Sequence, residues 1–447
     1  MKMESFSAEL LERAVKSGFA QAEVYIKSGE SFEAGTHEGE INSYEVSGSF
    51  GLGFRGLYNG KMGYASTQAL DDDAMEQLIR GAKQNALLID EEEAETLFEG
   101  ATKYPDVNAF SEALEEVSAK AKLEKLLKLD ELGRSLDEEV RSLEDCSLFS
   151  ASGETRMMNT LGLDLCFRKN ICGMSLTPIA RRGNQSETSF RFACSRDFHA
   201  LDPEALAKEG VQEALSRLGG EVLPSGAYPV VFRRDAAQAL LGTFTGVFNA
   251  EAAQKGLSLL KGREGQTIAS PMVTILDDPL QWIGARPFDG EGVPGSAKAL
   301  VEDGVLCTLM HNRKTAAKQG TKTTGNASRS YGSKLGVSPT TFYLKPGSLG
   351  YEALLREVHQ GILITGLQGL HSGADPVSGD FSLSAKGFRI EGGALGGPVT
   401  GITVAGNFFT LLQAVQCLGD DLYFGFPGGS CIGSTSLYGG KLTIAGK

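Results

Sequence analysis

The chain has 447 residues and a formal net charge of -13 at pH 7, with 57 glycines against only 14 prolines. An acidic surface repels a polyanion, which disfavours nucleic acid as a direct partner, and no run reaches the roughly 18 apolar residues of a membrane helix. The opening Met1-Lys2-Met3-Glu4-Ser5 lacks a signal peptide's apolar core, and the seven scattered cysteines include no C-x-x-C pair, so a cytoplasmic protein with reduced thiols is expected.

The length calls for two or three domains. We expect an N-terminal α+β domain over 1–105, a helix-plus-strand region packing with it over 106–222, and a glycine-rich, mostly β domain over 223–447. In chain order, Ser7 reads as the cap of a helix whose stripe Leu10, Leu11, Ala14 and Val15 stops at Gly18. Alternation over 23–27 and 41–47, with an extended polar stretch over 32–39 between them, predicts a meander of antiparallel strands. Strands over 50–57 and 62–66 flank Asn59-Gly60, a pair that accepts the positive φ values of a type I′ turn. Inside that hairpin Gly51-Leu52-Gly53-Phe54-Arg55-Gly56 matches G-x-G-x-x-G. A dinucleotide loop ends a strand and opens a helix, whereas this one runs on into a hairpin, so the glycines are read as belonging to a bent strand.

Asp71-Asp72-Asp73 caps a helix to about 88, and a solvated acidic connection follows over 90–95. A charged helical stretch from 111 to about 143, broken near Gly133, leads to strands over 146–151, 157–167, 173–180 and 188–194. Asp202-Pro203 then opens a helix through 218. From Tyr228 the texture changes. A strand over 228–232 feeds a helix carrying Ala236, Leu240, Phe244, Val247 and Phe248 at helical spacing. Strands follow over 273–276, 342–344, 361–367, 388–391 and 402–404, with a hairpin over 299–309 turning at Asp303-Gly304 and a helix over 407–417. The fold class is α+β.

Few residues offer chemistry. The histidines His37, His199, His311, His359 and His371 form no H-x-x-H or H-E-x-x-H. Cys307 and His311 are four apart at the end of a strand, where a buried thiol and a surface imidazole suffice as an account. His371 sits in a polar loop with Asp375 and is the better functional candidate. Gly428-Gly429-Ser430-Cys431-Ile432-Gly433 misses the nucleophile elbow because Ile432 replaces its second glycine. Asp277, Asp278, Asp289 and Glu291 cluster between glycines and prolines, a pattern open to acid-base work, to a hard cation, or to Asx-type turn bonding, the simplest of the three.

A resemblance becomes specific at this cluster. Asp277-Asp278-Pro279, Phe288-Asp289-Gly290-Glu291-Gly292-Val293-Pro294, Thr324-Gly325-Asn326-Ala327 and Pro376-Val377-Ser378-Gly379-Asp380-Phe381-Ser382 follow in an order that resembles the TldD/PmbA family. So do Ile402-Thr403-Val404-Ala405-Gly406-Asn407 and the earlier Gly60-Lys61-Met62-Gly63-Tyr64-Ala65. The family's TldD type is a zinc peptidase with H-E-x-x-x-H on a helix and a later cysteine in a C-G-K context; its PmbA (TldE) type lacks those ligands and pairs with TldD. Here the six matching positions read Gly242-Thr243-Phe244-Thr245-Gly246-Val247, and Cys431 is followed by Ile432-Gly433. Gly242 and Val247 carry no zinc ligand, and Thr243 cannot replace the glutamate that activates water. Residues five apart on an α-helix point about 140° from each other, so a metal-binding version needs a widened turn, and the expectation here is an undistorted helix.

The resemblance therefore implies a subunit without catalytic residues or cofactor of its own, with zinc in a TldD-like partner. Peptide or unfolded-protein substrates are expected, with a homodimer possible in isolation. Asp278, Asp289, Glu291, Asn326, His371 and Asp380 are its candidates for lining a chamber or touching peptide. Two rival readings stay open: a stand-alone hydrolase with a divergent site, and a protein-binding modulator of DNA gyrase.

Overall fold

The computed structural model describes residues 3–89, 95–425 and 430–446. The first half comprises α1 (Met3–Lys16), β1 (Gln21–His37), β2 (Glu40–Tyr58), β3 (Lys61–Thr67), α2 (Asp72–Leu87), α3 (Glu112–Glu115), α4 (Ala119–Ser135), β4 (Val140–Asn159), β5 (Asp164–Arg182), β6 (Gln185–Thr188), β7 (Arg191–Ser195) and α5 (Pro203–Ser216). Its strands make one antiparallel sheet in the order β3-β2-β1-β4-β5-β6, with β7 also on β5.

Turn chemistry was a reliable guide. Asn59 and Gly60 take φ values of 50° and 77°, and Asp71 caps α2 by accepting the Ala74 N–H. Strand length was not legible. The predicted short strands fuse into a hairpin of 17 and 19 residues, β1–β2, because residues 40–49 pair with β1 while exposed on both faces, so no buried stripe joins 41–47 to 50–57 in the sequence. The strand expected over 157–167 instead spans the end of β4, a turn and the start of β5. α1 begins at Met3, and the Ser7 hydroxyl bonds back to the Met3 carbonyl within it at 2.9 Å. The charged helical stretch breaks at 116–118 and ends at Ser135; Gly133 is interior to α4, where it lets Leu143 and Leu176 approach. Most of the acidic run over 90–95 lies outside the described residues.

One face of this sheet is covered by helices. Val24, Ile26 and Leu52 pack under Phe6 and Leu10 of α1 and Met75 and Leu78 of α2, while Leu148 and Met174 pack under Leu126 and Leu129 of α4. The other face, carrying Tyr25, Met157, Leu165 and Phe167, meets Phe288 and Tyr331 from the second half of the chain.

That second half comprises β8 (Gly226–Phe232), α6 (Arg234–Thr243), α7 (Ala250–Gln254), β9 (Ile275–Asp277), β10 (Lys298–Glu302), β11 (Val305–Leu306), α8 (Arg313–Gln319), β12 (Ala327–Ser328), β13 (Gly336–Val337), β14 (Thr341–Leu344), α9 (Tyr351–Val358), β15 (Gln360–Gln368), β16 (Asp380–Glu391), β17 (Ala394–Asn407), α10 (Phe408–Gln413), β18 (Cys417–Leu418), β19 (Tyr423–Phe424), β20 (Cys431–Ser434) and β21 (Leu437–Gly446). One sheet runs β11-β10-β9-β14-β20-β19. The other runs β17-β16-β15-β8-β21-β18, and pairing of β17 with β21 closes five of its strands into a ring. The largest apolar core, including Phe232, Leu240, Phe244, Phe342, Ile364 and Val404, draws on both sheets and on α6. α10 is shorter than expected: Asn407 caps it and the chain is back in a strand by Cys417. The fold is thus α+β, with an antiparallel N-terminal sheet. Among the described residues no helix is long and apolar enough to cross a membrane.

Candidate functional site

α6 follows directly on β8, a position fit for chemistry, and the six positions singled out by the resemblance straddle its end. The expected continuous helix stops at Thr243, and Thr245–Phe248 forms a 3-10 turn. The local cause is visible. Gly242 and Gly246 have low helix propensity, and the Thr243 and Thr245 hydroxyls bond back to the Ala239 and Gly242 carbonyls at 2.9 and 3.0 Å. Beyond the break the residues pack: Phe244 stacks on Phe408 with ring centroids 4.5 Å apart, Phe248 meets Phe342, and Val247 is buried. Gly242 stays half-buried, and a Cβ placed there would lie 3.7 Å from Ile432. These positions do not converge and offer no imidazole or carboxylate, so they do not fit a zinc ion. Among the described residues no group of three or more His, Cys, Asp or Glu side chains is arranged to hold a metal.

Beside α6 lies a cavity of about 630 Å³ lined by Gln238, Ala239, Phe192, Arg217, Thr365 and Tyr423. β8 pairs with β15 only over 362–364, and Thr365 lies buried in a bulge with its carbonyl toward Arg233, so among the described strands residues 366–368 of β15 are paired by β16 alone and keep one edge open.

The carboxylates form a buried knot. Asp277 accepts the Thr340 N–H at 2.7 Å and hydroxyl at 2.8 Å, accepts Asn326 Nδ2 at 2.7 Å, and pairs with Lys298 at 3.1 Å. Asp289 accepts the N–H groups of Glu291, Val293 and Ala327 at 2.8 to 3.0 Å. Glu291 accepts the Arg313 N–H at the start of α8, at 2.8 Å. Burial, then the neighbouring Asp289, push Glu291 up to about 7, and burial raises Asp289 as well. Asp278 accepts the Leu280 N–H in a tight turn. The structure thus brings Asp277, Asp289, Glu291 and Asn326 together, all nearly inaccessible to solvent.

His371 and Asp380 stand elsewhere, exposed on the segment leading into β16. Asp380 accepts Asn407 Nδ2 at 2.9 Å, and Asp375 is bonded by the Val377 N–H rather than by His371 among the described residues. The Cys307–His311 expectation is reversed. The thiol is exposed and the imidazole fully buried against the Thr315 hydroxyl, because β11 ends at Leu306 and His311 turns inward to precede α8. Gly428 and Gly429 lie outside the described residues.

Sequence reading missed the charged seam between the halves. Glu23 of β1 faces Arg55 of β2 in register, bonds it at 2.8 and 3.2 Å, and also pairs with Arg329, all three almost fully buried. Next to it a cavity of about 530 Å³ is lined by Tyr25, Arg55, Tyr64, Arg329, Tyr331 and Lys334. The one local signal was the G-x-G-x-x-G run. A Cβ on Gly51 or Gly53 would come within 2.3 Å of the Tyr331 ring or carbonyl, so the strand is left bare where this loop docks.

The comparisons with known proteins agree with this architecture. Models described as PmbA/TldA metallopeptidase domain 1, central domain and C-terminal domain match residues 22–86, 112–218 and 225–446. A solved Thermotoga maritima structure, described as that of a candidate modulator of a DNA gyrase, is 32% identical with a TM-score of 0.91, covering 99% of this chain and 100% of that one. The chain belongs to the PmbA/TldD metallopeptidase family. TldE from Thermococcus kodakarensis is 25% identical with a TM-score of 0.89 over 99% of this chain and 100% of its own. Metalloprotease PmbA of Escherichia coli O157:H7 is 25% identical over 427 residues, 93% of this chain and 92% of that protein. At the level of the PmbA/TldD family, the function is peptidase-like.

Proposed function

We propose that the chain is a TldE/PmbA-type subunit of a heterodimeric zinc metallopeptidase, in which a TldD-like partner carries the zinc, the attacking water and the base. The observation that carries this reading is the segment Gly242–Val247, where the family's chemistry would sit and where glycine, threonine and valine supply neither ligand nor base. The chain's own contribution is a wall of the substrate chamber. The open edge of residues 366–368 beside the cavity at α6 suits an extended peptide, which such an edge holds by main-chain hydrogen bonds while the cavity takes alternate side chains.

The test is purification of the chain alone and together with a TldD-like partner. The single chain is expected to bind no stoichiometric zinc and to leave peptides intact, and the pair to bind zinc and cleave them; zinc and cleavage from the single chain would overturn the assignment.

A further inference from the structure

Four cations gather on one side of the seam; the buried Asp289 acts on Arg286, but its oxygens already accept three backbone N–H groups. Lys27 of β1 stands opposite Thr155 of β4, which stands opposite Phe167 of β5, and Lys169 follows two residues on; all share the face turned toward the second half of the chain. The row beyond is Gly29, Gly153 and Lys169, so Lys169 rises from a surface cleared of neighbouring side chains. Across the gap, Arg196 anchors the loop that follows β9, donating from Nη2 to the carbonyls of Trp282 and Ile283 at 3.0 and 3.3 Å. Arg286 belongs to that same loop, and Gly284 between them packs against the Cys431 side chain, where a Cβ would lie 2.8 Å from Sγ.

None of the four makes an ion pair with an acid among the described residues, in a chain that carries thirteen more acids than bases. Arg196 Nε and Arg286 Nε and Nη2 are buried without a hydrogen-bond partner, which is rare for such groups and marks a place for one. Lys27 and Lys169 reach water, so a ligand can enter from solvent. Enclosure by the protein, then Lys27 and Arg286, hold Lys169 below its usual range, as enclosure and Arg286 do for Lys27. Burial keeps the Cys431 thiol raised and hence neutral, so it does not balance them.

We propose that Lys27, Lys169, Arg196 and Arg286 form a binding site for a carboxylate of a peptide. Cations gathered without a salt bridge attract an anion, and unfilled guanidinium donors match the two oxygens of a carboxylate. The place favours a peptide: Cys431 adjoins the cations on one face of β20, and its chain neighbour Ile432 adjoins Gly242 of α6 on the other, so a carboxylate held here lies one strand's thickness from the α6 wall. This inference rests on the chamber-wall reading, and it supplies an anchor for the substrate.

The experiment measures binding of fluorescein-labelled peptides to the intact single chain by anisotropy. The peptides are a free acid ending in Asp, its C-terminal amide, and the amide with Asn in place of Asp; inorganic phosphate is a further arm. The free acid is expected to bind at least about tenfold more tightly than the neutral amide, and the acidic amide shows whether the terminus or the side chain is the source. Lys169→Met and Arg286→Gln, each checked for an unchanged fold by circular dichroism, should each lose about tenfold for the free acid and nothing for the neutral amide. Equal binding of all three peptides, insensitivity to both substitutions, or saturable binding of phosphate without any of peptide would overturn the site. Mass spectrometry of the same mixtures keeps the two readings apart: peptide cleavage overturns the non-catalytic assignment and leaves the anion site standing, whereas intact peptides bound equally overturn only the site.

Discussion

Glu23 and Lys27 are four residues apart on the same face of β1, and they belong to opposite kinds of electrostatic environment. At Glu23 the charges are closed: Arg55 answers from the neighbouring strand and Arg329 from the other half of the chain. Two rows away Lys27 faces Arg286 with no acid to separate them. Burial alone would lift Glu23, but Arg55 and then Arg329 outweigh it and hold the carboxyl below its usual range. The lesson is that one seam serves two purposes. Where ions are mutually satisfied they fasten the halves together; where they are left unanswered, the same face is open to a ligand.

The largest way to break that contrast is Glu23→Gln. It leaves two buried guanidinium groups facing each other, and removal of one member of a buried pair typically costs about 3–5 kcal/mol. Thermal or urea denaturation at pH 7 should register that loss. Because the folded pKa of Glu23 lies below its unfolded value, its contribution is present above the ordinary carboxylate range and lost as pH falls through the lowered value, so the deficit of the variant should shrink toward acid.

Glu291 tests where the closed region ends, since Arg55 pulls its pKa down while burial and Asp289 drive it to about 7. A carboxyl raised in the folded state holds its proton while the unfolded chain has lost it, so stability should decline as pH rises from about 4.5 to about 7. Glu291→Gln should flatten that decline and be the more stable form at pH 8, by on the order of 3 kcal/mol, with no advantage at pH 4. Identical pH profiles of the two proteins would refute this. The smallest effect is expected in the open region. Lys27→Met removes like-charge repulsion that solvent already screens, and should raise stability by under about 1 kcal/mol, more at low salt than at high salt.

Much of the fold was legible wherever its cause was local. Asn59-Gly60 and Asp303-Gly304 take the positive φ values their residue types allow, and Asp71 and Asp202 cap the helices they precede. The end of α6 was hidden because Phe244, Val247 and Phe248 continue an apolar stripe that serves a 3-10 turn as well as a helix. Asp277, Asp289, Glu291 and Asn326 were visible as a dense local cluster, although only the structure shows their bonds to one another and to the backbone. Glu23, Arg55 and Arg329 gave no signal, being separated by 32 and 306 positions, and the four cations are scattered in the same way. Pairing across such distances is decided by topology, and no spacing rule reaches it.

The ring of strands has a consequence for how the protein is made. Its closing stave is β21, at residues 437–446, which slots between β8 and β17. During synthesis from the N-terminus, β8 emerges some two hundred residues before this partner, with one edge waiting. α6 hangs from that waiting strand, so the wall assigned to the substrate chamber cannot take its final support until β21 has been made. A chain truncated before Leu437 should therefore retain the N-terminal sheet and lose the C-terminal ring, a polarity that limited proteolysis of nascent chains would display directly.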